Sequence, residues 1–318
     1  MNTKDKSSSV AFIFLLLIAI FASVSISYVW MRINNSPERI EAAKESTRLA
    51  IRQIRDSKDK TGTPFLLRLL DAPDYEIRYR AIEALIQFKA REAGPKLIAM
   101  LSESSNAVRF RATYALGMLD AKESIPELIK ALNDEDPMIR GISAVSLGVL
   151  QSKEAVSKLI SLLDDKHYYV RESSVCALGV IGDKEAIPKL MNILTYEDHY
   201  LIRRYAVESL GKLNAREAKS QIITLLQDRD LGVRYKAIIS LGKINAQETI
   251  PEMIKFMANP DFNIRKYAVG ALADMDARQT IPEIKKLLKD ENESVRLVVE
   301  NALKTLGVPA EEIQKAKE

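Results

Sequence analysis

The sequence has few of the residues from which most catalytic and metal sites are built. It contains one cysteine and two histidines in 318 residues. A single cysteine excludes a disulfide framework within the chain and any multi-cysteine metal site, and two histidines leave little for acid–base chemistry. Neither a glycine-rich phosphate loop nor an HExxH, CxxC or GxSxG motif occurs. We therefore expect a non-enzymatic protein without a cofactor or a metal.

The chain also has a small net charge and few loop-forming residues. Lys and Arg number 47 against 43 Asp and Glu, a formal net charge of +4, which is too small over this length to imply nucleic acid. The 12 glycines and 11 prolines are few, as is typical of helical chains. Hydrophobic residues at 47% and charged residues at 28% exclude a disordered chain.

One long apolar segment lies at residues 10–31, after a polar tail at 1–9. As a helix it would span about 32 Å, close to the thickness of a bilayer core. We therefore predict a transmembrane signal anchor and a single-pass membrane protein. Lys4 and Lys6 favour a cytoplasmic N-terminus, which would leave the remaining chain outside the cytoplasm, whereas Arg32, Arg39 and Lys44 favour the opposite orientation. The alternative is a cleavable signal peptide, with Ser23, Val24 and Ser25 as the cleavage site, on a secreted or periplasmic protein.

An aliphatic residue followed by arginine recurs eight times at intervals of 31 or 32 residues. A leucine follows each arginine seven positions later, and a proline lies fourteen or fifteen positions before six of them. Such self-similarity is the signature of a repeat architecture. The eight arginines are Arg78, Arg109, Arg140, Arg171, Arg203, Arg234, Arg265 and Arg296.

Each unit has the pattern of two helices. Proline opens the first helix, an acidic turn follows, and an N-cap residue such as Asp74, Asp136 or Asp230 lies four positions before the arginine. Because neither helix can bury its apolar face alone, the units must stack. We predict an all-α solenoid of eight repeats at 61–307, with an N-terminal capping helix at 37–57 and a C-terminal cap at 308–318.

Units such as residues 125–152, IPELIKALNDEDPMIRGISAVSLGVLQS, resemble HEAT repeats, specifically the short repeat first associated with phycobilisome lyases. The resemblance implies a right-handed solenoid that acts as a scaffold or adaptor. It also implies that the repeated arginine pairs with an acidic residue of a neighbouring unit, as a structural ladder, and that the second helices line a concave face. A bilin lyase-like, tetrapyrrole-handling protein and a nucleic-acid-binding protein are the alternatives that the family offers.

Positions two, five and nine after the arginine form one exposed stripe on each second helix. The stripe is apolar in repeats 2 to 4, and it carries tyrosine and lysine in repeats 5 and 6. An exposed apolar patch marks an interaction surface, so we predict a protein or peptide partner; the alternative is that curvature buries these side chains as core. The predicted binding residues are Tyr114, Met118, Ile142, Val145, Val149, Val180, Tyr205, Lys212, Ile239 and Lys243.

His167 and His199 stand at the N-cap position of repeats 4 and 5, beside tyrosines and acidic residues. Stacked helices lie about 8–10 Å apart, too far for one metal ion unless both side chains lean inward. We interpret these turns as surface, either plain or used for protein contact. Cys176 is interpreted as a small apolar residue rather than as a nucleophile.

Overall fold

The computed structural model describes residues 37–197 and 199–317. Within these residues every regular element is helical, and no strand occurs. The chain forms two compact units, the first ending at Ser124 and the second beginning at Ile125. The prediction of an all-α, repeat-built fold is confirmed for the described residues.

Each repeat consists of a short first helix, which a 3₁₀ turn precedes, and a longer second helix. The first helices are Thr63–Leu69, Gly94–Ala99, Ile125–Ala131, Val156–Ser161, Ile187–Tyr196, Lys219–Thr224, Ile250–Phe256 and Ile281–Lys286. The second helices are Tyr75–Phe88, Asn106–Met118, Pro137–Val149, Tyr168–Ile181, Tyr200–Lys212, Leu231–Lys243, Phe262–Asp274 and Glu293–Thr305. Two further helices, Pro37–Ser57 and Ala310–Lys317, lie where the capping helices were predicted.

The second helices begin at side chains that bind free amides. Asp74, Asp136, Asp230, Asp261 and Asn292 each accept a hydrogen bond from an amide two or three residues later. The first-turn amides of a helix have no partner within the helix, so an N-cap oxygen stabilises its start. The repeated N-cap position therefore fixes where each second helix begins.

The second helices end at a residue in the left-handed conformation, eleven positions after the arginine. In seven repeats the amide of the next residue donates to the carbonyl of the repeated leucine, as from Ser152 to Leu147. This bond closes the helix in a Schellman-type motif. The left-handed residues are Lys89, Asp120, Gln151, Gly182, Asn214, Asn245, Asp276 and Gly307.

The buried core follows the period of the sequence repeat. All eight leucines at position seven are fully buried. The glycine after the leucine lets successive second helices approach: a Cβ on Gly148 would lie 2.9 Å from Ala177 Cα, and one on Gly242 would lie 2.8 Å from Ala271 Cα. These glycines therefore allow the second helices to pack closely.

The structure contradicts the localisation that the apolar segment predicted. Among residues 37–197 and 199–317, no helix combines the length and the apolar composition that a bilayer crossing needs. Most of these helices have 14 residues or fewer, and the longest, Pro37–Ser57, carries charged residues along its exposed side. The prediction of a single-pass membrane protein is corrected accordingly. The predicted span itself, residues 10–31, lies outside the described residues.

Candidate functional site

Every ladder arginine binds the turn of its own repeat. In all eight repeats Nη1 donates to the backbone carbonyl six residues earlier, at distances from 2.6 to 3.0 Å. In Arg140 this bond reaches Asp134 O at 2.8 Å. The arginine therefore ties the turn between the two helices to the second helix.

At least five of these arginines also bind the turn of the next repeat. Arg140 Nε and Nη2 donate to the two carboxylate oxygens of Asp165 at 2.8 and 2.9 Å. Both side chains are about nine-tenths buried, and two-point geometry of this kind gives the stronger class of ion pair. The five pairs are Arg78–Glu103, Arg140–Asp165, Arg171–Glu197, Arg203–Asp228 and Arg265–Asp290.

The paired carboxylates stay ionised in spite of their burial. Burial alone would raise the pKa of Asp165, but the bonds from Arg140 and from the His167 amide outweigh it and hold the pKa below its usual range. The pKa of Asp228 is lowered in the same way by Arg203 and the Asp230 amide, against the effect of burial. A guanidinium that already donates to a carboxylate and a carbonyl has few N–H groups left for an external anion. This arrangement is the geometry of a structural ladder.

Two of the predicted binding residues belong to the first unit. Tyr114 is half-buried, and the guanidinium of Arg111 lies 5.8 Å from its ring centroid and 3.9 Å from that of Tyr79. Met118 is the last residue of its helix and is exposed. The other eight predicted residues lie on the second unit.

Those eight lie on four consecutive second helices of repeats 3 to 6, which pack against one another in chain order. We call one side of the stacked second helices in this unit the second-helix face. It is the side that carries the residues two, five and nine positions after each ladder arginine. Val149 and Val180 are 53% and 51% exposed on it, while Val145 is half-buried. An apolar edge is therefore open at repeats 3 and 4.

Ile142 requires a correction, because it is only 5% exposed. The ring of Tyr169 from the next repeat packs onto the helix beside it: a Cβ on Gly141 would lie 2.3 Å from that ring. Ile142 is therefore a core residue rather than part of a surface open to a partner. For this one side chain the alternative interpretation, burial between neighbouring repeats, is right.

Repeats 5 and 6 present polar side chains on the second-helix face. Tyr205 and Ile239 are half-buried, and Lys212 and Lys243 are exposed. Glu208 accepts from Lys212 at 3.0 Å and from Lys236 at 2.7 Å. Burial would raise the pKa of Glu208, but the two lysines outweigh it and lower the pKa.

A second row of exposed apolar side chains was not predicted as a row, although Tyr168 and Tyr200 belong to the histidine turns for which protein contact was one interpretation. The residues of this row stand at the first or second position of five consecutive second helices, where repeats 2 and 8 have Asn106 and Glu293. An apolar residue two or three positions before the arginine was the signal that could have found them. We call this row the helix-start rim: Met138, Tyr168, Tyr200, Leu231 and Phe262.

His199 lies within the helix-start rim. Its ring stacks on Tyr168 with centroids 4.8 Å apart and on Tyr200 at 5.5 Å. Within the part of the chain that the structure describes, no three His, Cys, Asp or Glu side chains are grouped so that they could hold a metal ion. The histidine thus contributes an aromatic surface.

Comparisons with solved structures find the same fold in proteins of low sequence identity. The Escherichia coli protein YibA is 19% identical with a TM-score of 0.59, covering 80% of this chain and 95% of that one. A mutant of Kap121p is 14% identical with a TM-score of 0.64, covering 92% of this chain and 38% of that one. The complex of CpcE and CpcF, from the phycocyanin lyase of Nostoc sp. PCC7120, matches at 24% identity over 70% of this chain and 93% of that one. Its TM-score of 0.49 is too low to bear on function.

The repeats identify the family to which the chain belongs. The family model of HEAT repeats matches residues 39–117, 63–148, 94–179, 125–204, 187–261 and 250–317. No curated protein matches the chain. These overlapping matches cover nearly all of the described residues, and their period is that of the arginine ladder. The chain therefore belongs to the HEAT-repeat family.

Proposed function

We propose that the protein is a non-enzymatic scaffold that binds a segment of another protein on the second-helix face. The observation that carries the proposal is the exposure of Val149 and Val180, at 53% and 51%. Lys212 and Lys243 occupy the same position in the two following repeats, so the fold accepts a charged side chain there. Folding does not require these valines, and burial by a partner would account for them.

The charges beside the apolar edge favour an acidic partner. Apart from the ladder arginines, the second helices of repeats 5 to 7 contain five cations and only two carboxylates. One of the carboxylates, Glu208, already accepts from two lysines. A positive surface next to an apolar edge complements an acidic segment with apolar side chains. The five cations are Arg204, Lys212, Lys236, Lys243 and Lys266.

The state of the one cysteine supports a non-enzymatic role. Cys176 is half-buried on the second helix of repeat 4. Burial, with a smaller effect of Glu172 and Glu208, raises the pKa of its thiol to about 12. A nucleophilic cysteine needs a thiolate near neutral pH, so Cys176 is inert under those conditions.

The test is selection from a phage-displayed library of random peptides. Peptides of about 28 residues would span about 42 Å as helices, enough to cross the five stacked second helices of repeats 3 to 7. We expect the purified full-length chain to enrich peptides that combine acidic and large apolar residues. The double variant Val149→Lys with Val180→Lys should retain them at least tenfold less, because each lysine would be desolvated at the interface.

The matched control is Asn192→Lys with Ser220→Lys, which adds the same two charges at exposed positions on first helices. It should retain the enriched peptides like the original chain, and thermal melts should show both double variants folded. Enrichment of no peptides would contradict the proposal. Equal retention by the valine variant would contradict its location on the second-helix face.

A further inference from the structure

Gly270 is a glycine that the fold does not explain. It lies inside the second helix of repeat 7, Phe262–Asp274, and a Cβ built there has no atom within 4 Å. The glycines at 148 and 242 differ, because a Cβ there would press on the next helix. A glycine inside a helix is destabilising relative to alanine, so Gly270 weakens this helix without serving its packing.

The missing side chain leaves a gap on the second-helix face. Tyr267 lies one turn before Gly270 and Asp274 one turn after it on the same face of the helix. Ile239 and Asn301 hold the equivalent position in the preceding and following repeats, whose second helices pack on either side. By helix geometry and stacking order, an aromatic ring, an aliphatic side chain and two polar groups are the neighbours of the gap, and none of them lies within 4 Å of the added Cβ.

The aromatic wall of the gap is held in place. The ring of Tyr267 lies 5.4 Å from that of Tyr235, tilted by 52°, and Lys266 Nζ lies 4.7 Å from the Tyr267 centroid. Side chains packed on both sides have little freedom to fill the gap themselves. A space with a fixed wall is suited to receive a side chain from outside.

The charges around the gap indicate how a bound segment would be oriented. Lys236 and Lys243 lie on the preceding repeat, while Asp274 lies at the far end of the Gly270 helix. Burial raises the pKa of Asp274, and Lys243 partly opposes that effect. Acidic residues of a partner would be repelled by Asp274 and attracted by the lysines, so they belong over repeats 5 and 6.

We propose that the gap above Gly270 is a socket for one large apolar side chain of the bound segment. This inference rests on the proposed function and specifies its ligand: an acidic segment whose acidic residues lie over repeats 5 and 6 and whose apolar anchor enters repeat 7. The socket fixes the register of the segment, because only one side chain can enter it.

The socket is tested with Gly270→Ala, Gly270→Leu and the control Asn192→Ala. Both alanine variants should raise the melting temperature by about 1–3 °C, because each improves helix propensity at a position with space for the methyl group. Peptides enriched on the original chain should bind Gly270→Ala several-fold more weakly and Gly270→Leu at least tenfold more weakly. Asn192→Ala should bind them unchanged.

The outcomes separate the two proposals. If the original chain enriches no peptide, the proposed function and the socket fail together. If the peptides are lost on Val149→Lys with Val180→Lys but kept on Gly270→Leu, the face binds and the socket is wrong. A fall in the melting temperature of Gly270→Ala would mean that the fold needs this glycine, which would also overturn the inference.

Discussion

A ladder arginine such as Arg203 is shared between two turns. Arg203 donates through Nη1 to Glu197 O in its own repeat, and through Nε and Nη2 to Asp228 in the next. The carboxylate of Asp228 in turn accepts from the Asp230 amide. Because each of the three guanidinium nitrogens donates to an oxygen, burial of this charge is tolerated, and successive repeats are linked through their turns as well as through their cores.

Loss of one ladder arginine should destabilise the second unit. We expect Arg140→Met to lower the free energy of unfolding by about 1–3 kcal/mol, because Asp165 would remain buried without its cation. The measurement is urea denaturation at neutral pH. Arg278→Met, which removes an exposed arginine paired with exposed Asp276, is the control and should have little effect. Equal stability of both variants would show that the ladder does not stabilise the fold.

Repeat 7 lacks the ladder acid, and one substitution would introduce it. Asn259 stands where other repeats have the ladder acid, and it makes the same turn bond to the Asp261 amide. Asn259→Asp would place a carboxylate opposite Arg234 and should stabilise the protein by about 0.5–1 kcal/mol at pH 7.

The gain from Asn259→Asp should depend on pH. The neighbouring ladder acids Asp228 and Asp290 have lowered pKa values. A carboxylate of this kind contributes stability above its unfolded pKa of about 4, and the contribution is lost as pH falls through the lower folded value. Melts at pH 7 and pH 3 compare the gain above and below the unfolded pKa. The gain should be smaller at pH 3, and an equal gain at both pH values would contradict the ion-pair explanation.

At the scale of the helix, each second helix is followed by a residue in the left-handed conformation, whatever its side chain. Gln151 adopts φ of 53° and Lys89 φ of 54°, whereas repeats 4 and 8 have glycine at this position. Side chains with a Cβ are strained there. The Schellman-type bond from the next amide to the buried leucine keeps the conformation in seven of the eight repeats, and in repeat 4 the amide of Gly182 itself donates to that leucine.

Glycine at such a position should relieve the strain. Gln151→Gly should stabilise the protein by about 0.5–1 kcal/mol, and Gly182→Ala should destabilise it by a similar amount. Chemical denaturation of both variants checks the pair. Destabilisation by Gln151→Gly would mean that the side chain contributes more than the strain removes.

The helices could be predicted because their signals lie within one repeat. The arginine, the leucine seven positions later and the N-cap acid set the helix starts and the core without knowledge of the neighbours. The left-handed ends were not predicted, since lysine and glutamine do not favour that conformation by themselves. Asparagine or glycine at the same position in four repeats was the available signal.

The candidate site could be predicted only in part, because exposure depends on the next repeat. Val149 and Val180 are open as expected, but Tyr169 closes over the helix beside Ile142. The helix-start rim was missed because its side chains lie outside the stripe of positions two, five and nine. The register of Gly270, five positions after Arg265, separates it from the packing glycines at position eight, but the empty space above it depends on the neighbouring helices and could not be read from the sequence.

At the scale of the whole molecule, the central claim is that the second-helix face binds and does not serve only to fold. The face has features that folding does not need: two exposed valines, an excess of cations, and a glycine with empty space above it. None of these features is part of the repeat pattern, in which the ladder arginine and the buried leucine recur in every unit. They are specific to repeats 3 to 7, all within the second unit.

The most direct test of this claim is site-specific photo-cross-linking. A benzophenone amino acid is placed singly at Val149, Val180 or Asn192 in the full-length chain, and the peptides enriched by selection are added before irradiation. We expect cross-links from Val149 and Val180 on the second-helix face and little or none from Asn192 on the first helix. Cross-linking from Asn192 equal to that from the two valines would contradict it.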